Sequence, residues 1–246
     1  ELEAGAGMTQ NKAHIYDVFE HSVRALGAAA SHNFSLEIRL AALFHDVGKP
    51  ITKEGNGPDA TFYNHDQVGA KITKDILKRL NFSSDVIKKT VHLVRYHMFY
   101  YALDIVTDSG VRRLLNRLGK ENIEDFISLR ICDRLGMGRP KAKPWKLIEL
   151  ERRLKEVQLD PITPKMLKIN GSEVMEILKL KPGPKVGLIL NALLGEVLED
   201  PGKNVKKYLE EKILELDKLS EEKLEQLHPD IKYHEEERKR LIHKEK

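Results

Sequence analysis

Apolar residues recur along this chain at helical spacing, and stretches that alternate in the manner of a strand are scarce; this restricts it to an all-α fold. A first helix is predicted from Asp17. With Glu20 three residues on it has the form of a capping box, and Val18, Ala25, Leu26 and Ala29 share one face. A second is predicted over 35–47, with Ser35 as N-cap and Leu36, Leu40, Leu43, Phe44 and Val47 as its apolar stripe. Gly48 and Pro50 end it. The stretch 52–63 contains Gly55, Gly57 and Pro58 and reads as a loop. Further helices are predicted over 65–80, 84–98, 109–118 and 121–135. Arg139-Pro140-Lys141-Ala142-Lys143-Pro144 breaks the pattern and is the best linker. It separates a helical-bundle domain at 1–140 from a smaller helical region at 145–246. In that region helices are predicted over 145–157, 173–180 and 185–199, parted by Asp160-Pro161-Ile162-Thr163-Pro164 and Lys181-Pro182-Gly183-Pro184. From Asn204 on, Glu and Lys blocks alternate around spaced leucines, as in a solvated helix.

Composition narrows the setting. The 246 residues suffice for one large domain or two small ones. No apolar run reaches the roughly 20 residues of a membrane span. Cys132 is the only cysteine, so intramolecular disulfides are excluded and a cytoplasmic protein is expected. Glu1-Leu2-Glu3-Ala4-Gly5 has neither the basic nor the apolar region of a signal peptide. It has no initiator Met, and a segment upstream is expected. The net charge of +4 permits an anionic partner without demanding one.

The residues with chemistry to offer are histidines and carboxylates on inward helix faces. His45-Asp46 closes an apolar helix and runs directly into Gly48, Lys49 and Pro50. An imidazole and a carboxylate at adjacent positions near a helix end can turn toward one ion, and that pair suits a borderline or hard divalent metal. His21 lies on the Val18–Ala25 face, close to the small Ala28. Asp133 falls in line with Phe126 and Leu129, and a buried carboxylate is costly unless it pairs or binds metal. The plainer reading of Asp133 is an ion pair with Arg130 or Arg134. Asn64 has the look of an N-cap, which places His65 in the first turn of a helix, where the dipole favours the neutral imidazole a metal needs. His97 lies beside Val94 and Met98 at the edge of an apolar face, whereas His92 points away toward Lys88 and Arg95; helical phase therefore selects His97. A lone histidine is more often a satisfied core or surface side chain, and His14, His32, His228, His234 and His243 are read that way.

Laid out in order, these residues resemble the HD phosphohydrolase superfamily, whose pattern is a His, then His-Asp, then a distant Asp. His21, His45-Asp46 and Asp133 match it, and His65 and His97 match the two histidines of its binuclear branch. The runs Asp17-Val18-Phe19-Glu20-His21, Ala42-Leu43-Phe44-His45-Asp46-Val47-Gly48-Lys49-Pro50, Thr61-Phe62-Tyr63-Asn64-His65-Asp66 and Tyr96-His97-Met98 further resemble the HD region of bacterial tRNA nucleotidyltransferases, the CCA-adding and poly(A) polymerase-like group. Lys168-Ile169-Asn170-Gly171 and Leu180-Lys181-Pro182-Gly183-Pro184-Lys185-Val186-Gly187 resemble the C-terminal part of the same proteins. The Gly-Ser motif and paired aspartates of that group's transfer domain are not in this sequence. The resemblance thus implies the C-terminal half of such an enzyme, or a stand-alone relative, and no nucleotide addition by this chain alone.

The chemistry expected is metal-dependent phosphate-ester hydrolysis. His21, His45, Asp46 and Asp133 would hold one divalent ion, and Asp46, His65 and His97 a second. Asp46 and Lys49 are the expected catalytic residues. Lys49 is the expected phosphate clamp, with an ordinary surface lysine as the alternative, and Arg24, one turn on from His21, is a second. Imidazole-rich sites suit Mn, Ni, Fe, Co or Zn, and Mg less well. The resemblance implies cyclic phosphodiester, 2′-nucleotide or phosphomonoester substrates. In the second region Lys179, Lys181 and Lys185 flank a Pro-Gly turn, where backbone N–H groups at a helix start can approach a phosphate; the resemblance tilts this toward tRNA contact, against an ordinary turn. Two other readings stay open: a non-catalytic RNA-binding module, and a hydrolase of nucleoside triphosphates or signalling nucleotides whose pocket would come from 50–63 and 99–110.

Overall fold

A computed structural model describes residues 1–10, 15–55, 57, 60–99, 106–138 and 142–229. Among them the fold is all-α; the one extended pairing is an isolated antiparallel bridge between Glu54 and Thr61. The helices are α1 (Val18–Ser31), α2 (Leu36–Phe44), α3 (Lys49–Thr52), α4 (His65–Arg79), α5 (Ser84–Tyr96), α6 (Asp108–Leu118), α7 (Ile123–Gly136), α8 (Trp145–Glu156), α9 (Gly171–Leu178), α10 (Pro184–Glu199), α11 (Lys206–Leu216) and α12 (Glu221–Gln226). None is long and apolar enough to cross a membrane. His14, His234 and His243, residues 139–141 of the 139–144 linker and residues 100–105 lie outside the described residues.

Local chemistry fixes the starts. Asp17 accepts from the backbone N–H of Glu20 at 2.6 Å, so the first half of a capping box is present, but the Glu20 carboxylate turns to Arg24 instead of closing it. Ser35 caps α2 through the N–H of Ile38. Asn170 and Glu173 form a complete box at α9. Asn64 sits at the N-cap position of α4 with φ 61°, yet its side chain caps nothing and accepts from Gln67 instead. The apolar stripe predicted through Val47 is not one continuous helix. α2 stops at Phe44, His45 to Gly48 form a turn, and Pro50 sits inside the short α3, where a proline near a helix start loses no bond it would otherwise make.

The chain divides into two compact units, one of Glu1–Phe99 with Glu121–Ile148 and the other of Tyr100–Lys120 with Glu149–Lys246. The sequence-based division at 139–144 leaves α6 on the first side; in the structure α6 falls in the second unit. Its Arg112, 8% exposed, donates to the carbonyls of Leu198 (2.7 Å) and Glu199 (2.9 Å) at the end of α10 and to Asp160 (3.1 Å). Arg113 is ion-paired with Glu199.

In the first unit α1 packs on α7 and α2, α2 on α5, and α4 on α5. The core between them is unusually fine-grained: Ala25, Ala29, Ala41, Ala42 and Ala70 lie among Ile38, Phe44, Val47, Ile76, Leu77, Leu93, Val94, Leu129 and Cys132. Each fully buried Leu, Ile or Phe contributes about 1.5–3 kcal/mol, whereas the alanines contribute mainly by letting backbones approach. Two glycines mark the closest approaches. A Cβ on Gly48 would meet the His65 carbonyl oxygen at 2.2 Å and the Gly69 nitrogen at 2.6 Å, and a Cβ on Gly136 would meet the His21 carbonyl oxygen at 2.9 Å. The first contact locks the turn after α2 to the start of α4, and the second locks α7 to α1.

Candidate metal centre

Those locked junctions bring six side chains together. His21 comes from α1, His45 and Asp46 from the turn after α2, His65 opens α4, His97 follows α5 and Asp133 lies in the last turn of α7; all six are buried. They form two groups. In the first, the Nε2 atoms of His21 and His45 are 2.9 Å apart. Asp46 Oδ2 lies 3.4 Å from His21 Nε2 and 3.3 Å from His45 Nε2, and Asp133 Oδ1 lies 3.3 and 3.7 Å from the same two nitrogens. In the second, the Nε2 atoms of His65 and His97 are 3.3 Å apart, with Asp46 Oδ1 at 3.5 and 3.8 Å. The two oxygens of one carboxylate therefore serve two clusters.

One local device orients three of the four imidazoles. His45, His65 and His97 each donate Nδ1–H to the carbonyl three residues back, that of Ala42 (2.9 Å), Phe62 (2.7 Å) and Val94 (2.7 Å). A carbonyl only accepts, so Nδ1 carries the proton and, in the neutral ring, Nε2 is left with its lone pair directed inward. Lone pairs and carboxylate oxygens thus face one another across about 3 Å, an arrangement that calls for a cation. Two ligand atoms each about 2.0–2.2 Å from a single ion lie roughly 3.0–3.4 Å apart, so both clusters have the size and donor chemistry of a divalent-metal position.

The electrostatics agree. Burial opposes charge on Asp46, but His45 and Lys49 outweigh it and hold the carboxyl well below its usual range. Burial likewise works against Asp133, and the hydrogen bond from His21 and the charge of Arg130 hold it ionised. Burial also acts to lower His45, but the carboxylates of Asp46 and Asp133 raise it. His65 is lowered by burial, and His97 is lowered further by burial and by the neighbouring imidazoles of His65 and His45. The two imidazoles of the second cluster are thereby favoured in their neutral form, with lone pairs to donate.

Lys49 is at the centre but not as a free clamp. It is 7% exposed, and its ammonium donates to Asp46 Oδ2 and to Gln10 Oε1, each at 2.6 Å. Arg24 is exposed, bonded to Glu20 and stacked 3.9 Å from the centre of the Tyr16 ring. Asp133 faces two ways: Oδ1 lies toward the histidines, while Oδ2 accepts from Arg130 at 3.0 Å, the ion pair of the plainer reading. His92 lies against Tyr96, outside the cluster, and the exposed His32 stacks on Phe34. Sequence reasoning missed Gln10, for which no local signal exists. It also missed the spacing of Gly136, one turn past Asp133, which marks the α1 contact. In the second unit Lys179 and Lys181 are exposed, but Lys185 is ion-paired at 2.6 Å with Asp217.

Geometry and sequence converge on one class: residues 18–138 match the HD domain family, and this segment is an HD domain. Over about four-fifths of its length the chain is homologous to tRNA nucleotidyltransferases. It is 38% identical over 211 residues to the A-adding tRNA nucleotidyltransferase of Deinococcus radiodurans, covering 80% of this chain and 47% of that protein. It is 34% identical over 205 residues to the CC-adding tRNA nucleotidyltransferase of Thermus thermophilus, covering 79% of this chain and 44% of that one. A multifunctional CCA protein of Halorhodospira halophila is 30% identical over 151 residues, covering 59% of this chain and 36% of the relative. The chain spans about half the length of the first two relatives.

Proposed function

We propose that the HD domain is a divalent-metal phosphohydrolase acting on nucleotide or RNA-end phosphates, in a cytoplasmic protein of tRNA nucleotidyltransferase type. The observation that carries this reading is the inward convergence of imidazole lone pairs whose other nitrogens are committed to the backbone, with Asp46 divided between two such pairs. His21, His45, Asp133 and Asp46 Oδ2 would hold one ion; His65, His97 and Asp46 Oδ1 would hold another. A divalent ion supplies Lewis acidity toward a phosphoryl oxygen and a nucleophile at neutral pH. The chain's own part is to orient and to exclude. The carbonyl-anchored Nδ1–H groups keep each ring from turning, Asp46 sets the separation of the two clusters, and burial limits water around them. Lys49, seated on Asp46, is the expected phosphate-binding cation, and Arg24 is one turn along the same helix as His21.

The relatives support tRNA as a partner, with Lys179 and Lys181 as contacts to its backbone. The deciding experiment is hydrolysis of bis(p-nitrophenyl) phosphate and of a 2′,3′-cyclic nucleotide, with metal content measured in parallel, on wild type and on His45→Ala/Asp46→Ala. Activity lost with the metal while helicity persists is expected; hydrolysis by the metal-free double variant would overturn the proposal. An inactive, fully metal-loaded wild type would favour a non-catalytic RNA-binding module.

A further inference from the structure

One oxygen of the candidate centre already has a cation on it. Lys49 is nearly sealed from solvent, and its ammonium lies 2.6 Å from Asp46 Oδ2. The second partner of that ammonium is Gln10 Oε1, also at 2.6 Å, and Gln10 is pinned in turn by donating Nε2–H to the Tyr16 carbonyl at 3.3 Å. The Phe62 ring lies 5.5 Å from the ammonium on another side. The Lys49 charge bears on both His45 and His65, but its ammonium contacts the carboxylate oxygen of only one cluster. Asp46 Oδ2 belongs to the His21–His45–Asp133 cluster, whereas Asp46 Oδ1 faces His65 and His97. Two cations cannot share one buried carboxylate oxygen without strong mutual repulsion.

We propose that Lys49 is a built-in counter-ion seated directly on the first cluster, parked by Gln10, and that the two positions therefore load in order. The His65–His97 position takes its ion with Lys49 in place. The His21–His45–Asp133 position takes its ion only by displacing Lys49 from Asp46, which swings the ammonium outward to where a substrate phosphate would meet it. The chain then presents its phosphate-binding cation only when the second ion is in. Gln10 is a positioning residue in this scheme. The inference rests on the two-ion reading of the centre, and its test does not use catalysis.

The experiment titrates the metal-stripped full chain with Mn²⁺, and separately with Zn²⁺, by calorimetry, and follows acylation of Lys49 by an N-hydroxysuccinimide ester with peptide mass spectrometry. Lys49 is expected to stay protected through the first equivalent and to become at least about tenfold more reactive during the second, given the repulsion between like charges on one carboxylate. Lys49→Met is expected to raise the affinity of the weaker step at least about tenfold and to leave the tighter step within about threefold. Lys49 reactivity unchanged to saturation, or both steps tightened equally, would overturn the inference. The labelling arm uses unmodified protein, so a poorly folding variant leaves it decisive. Ordered loading and exposure of Lys49 without hydrolysis would sink the phosphohydrolase reading and keep this one. A saturated two-ion enzyme that hydrolyses with Lys49 still protected would do the reverse, and a chain that takes up neither ion loses both.

Discussion

Gly136 leaves no room for a side chain against His21: a single added methyl at Gly136 would come within 2.9 Å of the His21 carbonyl oxygen and 3.0 Å of Ala25. Because Asp133 lies one turn before Gly136 on the same helix, this contact sets the 3.3 Å between Asp133 and His21.

Gly136→Ala is therefore expected to push α7 off α1. Overpacking of this kind costs about 1–3 kcal/mol, read as a lower midpoint in urea unfolding. The specific signature is a weakened ion at the His21–His45–Asp133 position with the other position retained. Equal weakening of both would show that the contact does not position Asp133.

Gly48→Ala is expected to be the more damaging change, at about 3 kcal/mol or more, because its Cβ would fall 2.2 Å from the His65 carbonyl oxygen, and backbone gives way less easily than a side chain. The junction it holds carries Asp46 on one side and His65 on the other. Metal stoichiometry below one ion per chain in whatever protein stays folded is the expected reading.

The metal-free protein is expected to lose stability as pH falls below about 6.5. His65 and His97 are held below the ordinary histidine value, so the unfolded chain binds protons there before the folded one does. Their contribution is complete above 6.5 and disappears as pH descends toward their folded values. His45, raised by its carboxylates, has the opposite sign and gives stability that is lost as pH rises through its folded value. His97 lies well below the ordinary histidine value and His65 lies below it too, so the thermal midpoint should drop between pH 7.5 and 5.5. A midpoint constant or rising over that interval would contradict the assignment. Metal affinity should fall in the same direction, since protons compete for Nε2.

Arg112→Met in the second unit is expected to cost about 2–4 kcal/mol, since it leaves the carbonyls of Leu198 and Glu199 and the Asp160 carboxylate without their donor. The loss should appear in denaturant unfolding with metal content unchanged.

For RNA, Lys179→Glu with Lys181→Glu is expected to weaken tRNA binding and to flatten its dependence on salt by about one to two released ions. Lys185→Glu should instead lower stability by breaking the pair with Asp217. If Lys185 alone governs binding, the contact surface has been drawn in the wrong place.

Much of the centre was legible in the sequence because helical phase is a local property. Phase put His21 and Asp133 on inward faces, and it chose His97 over His92; the structure brings all three choices into, or leaves them out of, the cluster accordingly. What phase does not carry is partnership across the chain. Lys49 meets Gln10 from 39 positions away, and Arg112 meets Leu198 from 86, and no window along the sequence contains either pair. The grouping of α6 with the second unit was hidden for that reason. The end of α2 at Phe44 was hidden for another: the apolar stripe continues through Val47 because the turn that follows is buried as well, so burial persisted where the helix did not.

The three carbonyls that anchor His45, His65 and His97 belong to the main chain, each one turn behind its imidazole. Their chemistry is the same whatever residue supplies them. Ala42, Phe62 and Val94 could each be exchanged for another side chain of similar bulk and the ring nitrogens would keep their assignments. The proton pattern of this pocket is therefore insulated from most point mutations around it, and will drift only where the backbone itself is forced to move.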